Sequence, residues 1–243
     1  MKEKQRLYRV MRLEHLFSLF GDKENVLVPP AWWDDPLENF VLKSPAIMPD
    51  GEEIDWAFRD DFFGQCWTRH KASDAMWRIY SPGDKKTRAD QRGVRVRTTA
   101  AKLLGSLHVS AGRHADDQAF LERVRYLRQA KMAEFGDSAI RFPLNANDFA
   151  KTLLIKRLAF KHEREARLLF FADRNRNQFK EGRFHYPIEP HKFIEQIMID
   201  PRVTREEAKQ LKVQIQKKTG FKGKILHSKL YVLPKGFKFR ITE

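Results

Sequence analysis

The stretch from Lys161 to Phe171 constrains the fold most, because it passes from alternating charges into an unbroken apolar run. This change indicates a β-strand that enters a hydrophobic core. Side chains alternate between the two faces of a strand, so Glu163, Glu165 and Arg167 are predicted to share one face, with the two carboxylates about 7 Å apart. Such carboxylates repel each other. Arg167 can neutralise one of them, and the other is a surplus charge that needs an explanation, unless the stretch is the edge of a solvated strand with ordinary surface charges.

The net charge is the strongest global property of the chain. Lysine and arginine number 47 against 32 acidic residues, which gives a formal net charge of +15 at pH 7. Such an excess favours a polyanionic partner through electrostatic steering and counterion release, and nucleic acid is the commonest such partner. The alternative is a charge that serves solubility and has no partner.

The composition indicates a globular protein. Hydrophobic residues make up 42% of the 243 positions, and 19 of them are Phe, which is enough to bury a core. The single cysteine, Cys66, excludes an intrachain disulfide and a cysteine-based zinc site, and its apolar neighbours favour a buried, inert thiol. No apolar run approaches a membrane span, and the first residues lack the apolar region of a signal peptide. We therefore expect a cytoplasmic protein without a membrane partner.

Short strands and helices are interspersed along the sequence. This order predicts an α+β fold, with a mixed, largely antiparallel sheet of short strands and flanking helices. We expect a single α+β domain over residues 1–243. Within it we expect a helical insertion at about 105–160 and a basic C-terminal segment at 201–243.

Two helices have clear patterns. The segment from Asp116 to Phe135 carries apolar residues at helical spacing and basic residues elsewhere, which predicts one long amphipathic helix. Further along, Thr204 and Glu207 predict a capping box for a helix that ends near Gly220.

The segment from Trp32 to Glu38 allows two interpretations. As local structure, Asp35 is a suitable helix N-cap, Pro36 suits the first helical position, and Glu38 follows at the spacing of a capping box. As part of a site, Asp34 or Glu38 would project into a cleft beside the two tryptophans. The two interpretations are compatible with each other.

Two aromatic residues on the next predicted helix are candidates for a ligand pocket. Trp77 and Tyr80 are three residues apart, in a helix that is predicted to begin after Ser73 and to end at Ser81. They therefore share one helix face. The pair suits either the hydrophobic core or the wall of a pocket for a planar ring.

A basic segment follows this helix. It begins as a polar loop and continues, after Gly93, as a strand that places Arg95 and Arg97 on one face. Together the loop and the strand form the predicted nucleic-acid-binding surface; the alternative is an ordinary solvated strand face. The candidate residues are Lys85, Lys86, Arg88, Arg92, Arg95 and Arg97.

Several common catalytic motifs are absent from the sequence. It has no phosphate-binding P-loop, no dinucleotide fingerprint, no helix with paired histidine ligands and no Gly-x-Ser-x-Gly elbow. The eight histidines are scattered without ligand spacing. The spacing therefore predicts no metal, although carboxylates from distant segments can still gather around one in space.

In their order along the chain, these motifs resemble a widespread bacterial family that is known only as a domain of unknown function. Its pattern combines Leu-Tyr, an Asn-Asp-Pro-x-Glu box, a Cys-Phe-Ser strand, Met-Trp-x-x-Tyr, a Gly-led strand, Glu-x-Glu-x-Arg and a late apolar strand. The matching segments here are Leu7-Tyr8, Asp34-Asp35-Pro36-Leu37-Glu38, Cys66-Trp67-Thr68, Met76-Trp77-Arg78-Ile79-Tyr80, Gly93-Val94, Glu163-Arg164-Glu165-Ala166-Arg167 and Ile194 to Ile199. Asp34 replaces the usual Asn, and residues 105–150 are longer than the family leads us to expect.

The layout of this family is similar to that of mono-ADP-ribosyltransferases that modify nucleic acid. The resemblance implies that NAD is the substrate and that Tyr8 and Arg9 on the first strand bind it. Arg9 would hold the pyrophosphate through a bidentate contact. Trp77 or Tyr80 would stack on the nicotinamide ring.

The same resemblance implies a catalytic role for the paired glutamates. Glu163 or Glu165 would stabilise the oxocarbenium-like centre and would orient or deprotonate the acceptor. The residues expected to support the site are Asp34, Asp35, Glu38 and Arg167.

Three functions are compatible with the sequence. The first is an NAD-using mono-ADP-ribosyltransferase, or an NAD glycohydrolase, that acts on nucleic acid, with a role in phage defence or as a toxin. The second is a nucleic-acid-binding module without chemistry. The third, which we rank well behind, is a nuclease in which acidic residues gather around Mg²⁺. The acidic candidates for that metal are Asp34, Asp35, Glu38, Glu163 and Glu165.

Overall fold

A seven-stranded sheet lies at the centre of the protein, in a computed structural model that describes residues 1–83, 86–112, 118–140, 143–172, 178–234, 236 and 238–242. The strands are β1 (Arg6–Arg12), β2 (Glu24–Leu27), β3 (Ala46–Ile47), β4 (Glu53–Ile54), β5 (Phe62–Thr68), β6 (Gly93–Thr99), β7 (Ala119–Arg123), β8 (Arg125–Leu127), β9 (Ile155–Arg157), β10 (Glu165–Phe171), β11 (Phe179–Lys180), β12 (Arg183–Pro187), β13 (Gln196–Ile199) and β14 (Lys224–His227). The α-helices are α1 (Leu13–Gly21), α2 (Phe40–Lys43), α3 (Asp74–Tyr80), α4 (Ala100–Ala111), α5 (Gln129–Ala139), α6 (Ala146–Thr152), α7 (Pro190–Phe193) and α8 (Arg205–Thr219). Short 3₁₀ helices span Pro30–Trp32, Pro36–Asn39, Ala89–Gln91 and Leu158–Glu163.

The strand order of the large sheet is β14-β13-β6-β1-β5-β10-β7. Its neighbouring strands are antiparallel except for the parallel pair β13 and β14. Three smaller sheets accompany it: β11-β12-β2, β3-β4 and the parallel pair β8-β9. This arrangement confirms the predicted α+β fold, a single domain with a largely antiparallel sheet. Its division into a helical insertion and a basic C-terminal segment stays a prediction.

The sheet separates two hydrophobic layers, because successive side chains of β10 point to opposite faces. Leu168 and Phe170 face the main core, which α1, α4 and α8 cover with Leu16, Leu103 and Leu211. Leu169 faces a smaller core together with Phe62 and with Phe149 of α6. None of the described helices combines the length and the apolar character that crossing a membrane requires.

The long helix predicted from Asp116 to Phe135 is wrong. Among its described residues, β7 and β8 occupy the first half, and α5 begins at Gln129. The strand β7 pairs with β10 along the edge of the large sheet. Leu121 packs into the main core and Phe120 against the smaller one. Successive side chains of β7 therefore point to opposite faces of the sheet, as in a strand and not as in a helix. Tertiary pairing has overridden the helical spacing of its apolar residues.

Gly64 on β5 allows a close approach that the site needs. A Cβ atom at this position would lie 2.7 Å from Cζ2 of Trp33 and 3.0 Å from Cδ2 of Leu169. The Trp33 ring in turn lies 4.2 Å from the Arg167 guanidinium, measured from the ring centroid to Cζ. Glycine at position 64 therefore lets the indole sit between the strand and the charged residues described below.

We expect Gly64→Ala to lower the free energy of unfolding by about 1–3 kcal/mol, because the added methyl group overpacks a filled space. The matched control is Gly105→Ala in the exposed middle of α4, where a Cβ atom meets nothing within 4 Å. That substitution should raise stability by about 0.5–1 kcal/mol through helix propensity. Urea unfolding of both variants measures the difference, and equal stability changes would contradict the packing argument.

Candidate active site

A cavity of about 320 Å³ opens where β1 and β5 part. The two strands are fully described, and they share one paired position, Tyr8 with Thr68. By contrast, β1 is paired with β6 along its whole length, from Arg6 to Arg12. Beyond Tyr8 the β5 side of β1 therefore borders the cavity. The lining residues are Tyr8, Arg9, Val10, Met11, Arg12, His15, Cys66, Trp67, Thr68, Met76, Ile79, Tyr80, Pro82, Glu163 and Glu165.

A buried polar network holds β5 away from β1. Gln65 donates to Oδ1 of Asn25 on β2 at 2.8 Å, and Asn25 donates to the Tyr186 hydroxyl at 2.7 Å. The Trp67 indole donates to Oε1 of Gln65 at 2.8 Å. A backbone bridge between Val28 and Gly64 continues the connection. Because buried polar groups must be hydrogen-bonded, this network ties β5 to β2 and keeps the sheet split.

Arg9 is the cation on one wall of the cavity. Alternation along β1 places it on the face opposite Tyr8, and the parting of the strands brings both residues to the same space. Arg9 is half-buried, and burial lowers the pKa of its guanidinium, an effect that nearby Cys66 and Tyr80 partly offset. Among the described residues, no hydrogen bond or ion pair to its side chain is found. Within the described part of the chain, the cavity therefore contains a guanidinium group without a counter-ion.

A buried cluster of charges includes two of the residues that line the cavity, Glu163 and Glu165. The Lys156 ammonium lies 3.0 Å from Glu38, 2.6 Å from Glu163 and 3.3 Å from Glu165. Arg167 donates through Nε to Glu165 at 2.7 Å and through Nη2 to Glu38. All five side chains are buried. Three carboxylates thus share two cations, which leaves one negative charge in excess.

The pKa values of two of these carboxyl groups shift in opposite directions. Burial opposes the ionisation of Glu165, but Arg167 and Lys156 outweigh it and hold its pKa below the ordinary value. For Glu38 the balance is reversed, because burial raises its pKa more than the two cations lower it. Burial also disfavours the charged form of Lys156, yet the carboxylates raise its pKa overall. Glu165 is therefore a fixed anion at neutral pH.

Glu163 reaches the cluster by another route than the predicted strand. It ends the 3₁₀ helix Leu158–Glu163, and Arg164 after it has a left-handed backbone, with φ of 46°. The strand β10 begins at Glu165, so the predicted shared strand face holds for Glu165 and Arg167 but not for Glu163. Of the two Glu163 oxygens, Oε2 accepts the Lys156 bond, and no donor to Oε1 is found in the part of the chain that the structure describes.

The two aromatic candidates of α3 separate in the structure. Tyr80 lines the cavity with 38% of its surface exposed, and burial, with Glu163 nearby, raises the pKa of its hydroxyl. Trp77 is 1% exposed and packs with Val10 and Met76 behind the wall. Trp77 is thus a core residue, which corrects its predicted contact with the cofactor. Of the two, Tyr80 is available for stacking on a ligand.

The Trp32–Glu38 segment combines its two interpretations. Asp35 caps the 3₁₀ helix by accepting from the Leu37 amide at 3.1 Å, and it pairs with Arg157 at 3.0 Å. Glu38 leaves the cap and joins Arg167 and Lys156 instead. Asp34 is exposed and lies outside this cluster. Glu38 and Arg167 therefore belong to the buried cluster, and Asp35 binds Arg157, the neighbour of Lys156 in the sequence. Their supporting role in a site stays a prediction.

The predicted basic surface is not a continuous exposed patch. Arg92 and Arg95 are buried, and Arg95 donates to the Lys71 carbonyl while its guanidinium covers the Tyr8 ring at 4.9 Å. Arg97 pairs with Glu195 at 3.3 Å. Of the loop residues, Arg88 is exposed and pairs with Asp90 at 2.8 Å, Lys86 is exposed, and Lys85 lies outside the described residues. The strand arginines serve the packing of the sheet, because both of its faces are covered.

Sequence analysis missed two residues of the site. Lys156 follows the apolar run Leu153–Ile155, and a lysine at the end of a buried run is a signal for a buried ion pair. The Tyr126 hydroxyl accepts a hydrogen bond from the Glu165 amide at 2.7 Å. Burial is the main cause that raises the Tyr126 pKa to about 12, so it stays a neutral phenol. Tyr126 thereby fixes the start of β10.

Comparisons with known proteins add little. No family model and no curated protein matches the chain, so membership of the bacterial family stays a prediction. Three solved structures of DarT from Thermus sp. 2.9 align with 94% of this chain. The complex with NAD+ has 12% identity, 97% of that chain covered and a TM-score of 0.41. The complex with ADP-ribosylated ssDNA has 12% sequence identity, 96% of that chain covered and a TM-score of 0.42. The complex with carba-NAD+ has 11% sequence identity, 98% of that chain covered and a TM-score of 0.42. TM-scores this low do not establish a shared fold, and they assign no chemistry to the cavity.

We expect Lys156→Met to lower the free energy of unfolding by about 3–5 kcal/mol, because it leaves buried carboxylates without their shared cation. Their pKa values would then rise above those of the unfolded chain. The loss should therefore be smaller at pH 5 than at pH 8, since protonation relieves the repulsion at the lower pH.

The matched control is Lys151→Met, which removes an exposed pair with Asp148 at 2.7 Å. Such a surface pair contributes about 0–1 kcal/mol. Denaturant unfolding at the two pH values measures both variants. A Lys156→Met penalty as small as that of the control, or one that does not depend on pH, would show that the cluster is not electrostatically coupled.

Proposed function

We propose that this protein is an NAD-using mono-ADP-ribosyltransferase, or an NAD glycohydrolase, whose acceptor is nucleic acid. The observation that carries the proposal is the polarity of the cavity. Among the described residues, the Arg9 guanidinium in this cavity has no counter-ion, whereas Glu163 and Glu165, which line the same cavity, belong to a cluster of three carboxylates and two cations. Tyr80 lines the same cavity, within electrostatic reach of Arg9 and of Glu163.

NAD has the complementary distribution of charge. Its pyrophosphate is an anion that a guanidinium binds through two parallel hydrogen bonds, which suits Arg9. Breaking the bond between ribose and nicotinamide develops positive charge on the anomeric carbon, and a fixed carboxylate stabilises that charge. Glu165 is such a carboxylate, held by Arg167 and Lys156. Tyr80 offers a ring on which the nicotinamide can stack.

The free oxygen of Glu163 gives it a different role. Its Oε2 is bound to Lys156, whereas Oε1 is available to accept a proton from an acceptor group. In the transfer, the glycosidic C–N bond breaks and nicotinamide leaves with the bonding electrons as a neutral base. The acceptor atom bonds to the anomeric carbon, and its proton passes to Glu163. With water as acceptor the same steps release ADP-ribose.

Cys66 lies in the same cavity but does not compete as a nucleophile. Burial, followed by the charge of Glu165, raises the pKa of its thiol well above the ordinary value. The thiolate is the reactive form of cysteine, so this environment keeps the sulfur inert. The interpretation from sequence, a thiol without a catalytic role, stands as part of the proposal.

The ion pairs disfavour the magnesium nuclease. Glu38, Glu163 and Glu165 already bind Lys156 or Arg167, and a metal would have to displace two buried cations to reach them. The binding module without chemistry leaves the excess negative charge beside Arg9 unexplained. A role in phage defence or as a toxin and a cytoplasmic location remain predictions from the sequence analysis.

We expect purified protein to consume NAD and to be stimulated by single-stranded DNA or RNA. Glu165→Gln should reduce kcat about 100- to 1,000-fold, the usual cost of removing one transition-state electrostatic contact, and Glu163→Gln should suppress transfer to nucleic acid. Glu134→Gln, at an exposed pair with Lys131, is the control. Release of nicotinamide is measured by chromatography. Folded protein that releases none with either nucleic acid would refute the proposal.

Arg9 provides a second test, because its role in binding opposes its effect on stability. Arg9→Met should raise the KM for NAD about 10- to 100-fold, the loss of a charge-assisted contact. It should also raise the free energy of unfolding by about 1 kcal/mol, since a half-buried charge without a partner is removed. Arg6→Met, at an exposed position on the same strand, should change neither. A destabilised Arg9→Met variant with an unchanged KM would mean that Arg9 is structural.

A further inference from the structure

Three arginines lie close together where three neighbouring strands begin or end, beside the carboxylates. We call this end of the strands the arginine edge. Arg69 follows β5 directly after Thr68, whose register partner is Glu165. Arg164 comes immediately before Glu165. Arg123 ends β7 opposite Ala166, the next residue of β10. The pairing of β5, β10 and β7 therefore brings the three arginines to one edge.

Backbone hydrogen bonds hold this edge in place. The Arg69 amide donates to the Arg164 carbonyl at 3.1 Å. On the other side of β10, the Val124 amide donates to the Glu165 carbonyl at 3.1 Å. The left-handed backbone of Arg164 turns its exposed side chain away from the buried cluster that Glu163 and Glu165 join.

The three guanidinium groups repel one another. Burial lowers the pKa of Arg69, and the charges of Arg123 and Arg164 lower it further. Its Nε is buried without a hydrogen-bond partner. Within the described part of the chain, no carboxylate pairs with any of the three side chains; the neighbouring Glu122 binds the N-terminal amine at 2.8 Å instead. A cluster of like charges next to a cavity, for which the described residues supply no counter-ion, indicates a site for an anionic group.

We propose that Arg69, Arg123 and Arg164 bind the phosphodiester backbone of single-stranded nucleic acid and present one base to the carboxylates. The inference rests on the proposed function for its acceptor. Guanidinium groups match phosphate oxygens in geometry and charge. A base inside a duplex cannot reach an enclosed site, whereas a single strand can turn one base into the cavity while neighbouring phosphates stay on the surface.

Two histidines flank this arginine edge. One of them is His162. Burial, followed by the positive charges of nearby Arg164 and Arg69, lowers the pKa of the other, His70. It is therefore a neutral ring at pH 7. A neutral imidazole on a cationic surface offers a base a stacking partner without adding charge. This surface thereby combines phosphate contacts with a planar side chain.

Binding is measured by fluorescence anisotropy with labelled oligo-dT and oligo-U strands about twelve nucleotides long, a length within the range of single-strand sites. The triple variant Arg69→Gln, Arg123→Gln, Arg164→Gln should bind at least tenfold more weakly. Its plot of log K against log salt should be shallower by about 2, since each lost phosphate contact on a single strand contributes about 0.7. The triple replacement by Lys should keep the slope.

The charge-matched control is Lys209→Gln, Lys212→Gln, Lys217→Gln on α8, which removes the same charge from exposed positions. Its affinity should stay within about twofold of the native protein, since long-range surface charge is screened. If both triple variants lose the same amount of affinity, the loss is explained by net charge alone, and the proposal is overturned. Tighter binding of a matched duplex would overturn the assignment to single strands.

This test is independent of NAD. If binding is lost in the triple Gln variant and kept in the control, the proposed nucleic-acid-binding surface is supported even if the protein does not consume NAD. In that case the protein would be a nucleic-acid-binding module without chemistry. Should the triple variant fail to fold, Arg123→Gln alone, at an exposed position, should still reduce the slope by about 0.7. An unchanged slope in that variant would contradict the proposal.

Discussion

The parting of β1 from β5 is the constraint on which the rest of the structure depends. Two antiparallel strands that pair at Tyr8 and Thr68 would ordinarily continue their ladder, since every unpaired buried backbone group carries a free-energy cost. Here β5 is redirected to β2 by the side-chain amides of Asn25 and Gln65 and by the Val28–Gly64 bridge. At Gly64, the backbone bridge to Val28 replaces the hydrogen bonds that β5 does not make with β1. The space between the strands remains open, and residues from both faces of the sheet reach it.

The ion cluster is poor evidence of stability and better evidence of a site. Replacing buried ion pairs by apolar residues is often neutral or favourable, because desolvation offsets the Coulomb attraction. Three carboxylates with two cations have a further disadvantage, since one negative charge stays unpaired. The arrangement has a use if a positive centre develops beside it, and Glu165, which Arg167 holds through two oxygens, is already oriented for that charge without reorganisation.

Local patterns in the sequence predict the features that depend on nearby residues, such as helix caps. They do not predict the features that depend on strand pairing between distant segments. The Thr204–Glu207 capping box and the helix end at Gly220 were predicted and are confirmed, because caps depend on residues close in sequence. The basic strand shows the limit of such local patterns. Alternation correctly placed Arg95 and Arg97 together, but it cannot show that Lys71 and Glu195 cover that face. Lys156 lies on β9, which pairs with β8, and β8 directly continues the chain from β7, the partner of β10. These pairings bring Lys156 to Glu165, and no periodicity in the sequence predicts them.

The strand register also ties the proposed acceptor surface to the proposed chemistry. Arg164 and Glu165 are adjacent in sequence, and the bonds from Arg69 and Val124 flank them on both sides. A phosphate bound at this edge is therefore held in the same rigid frame as the carboxylates, and positioning of this kind contributes strongly to rate when it fixes the acceptor near attack geometry. Arg9 lines the same cavity, and the proposed function assigns it to the pyrophosphate of NAD. In the proposed reaction NAD and nucleic acid are bound by different arginines, so they do not compete for one side chain at Glu163 and Glu165.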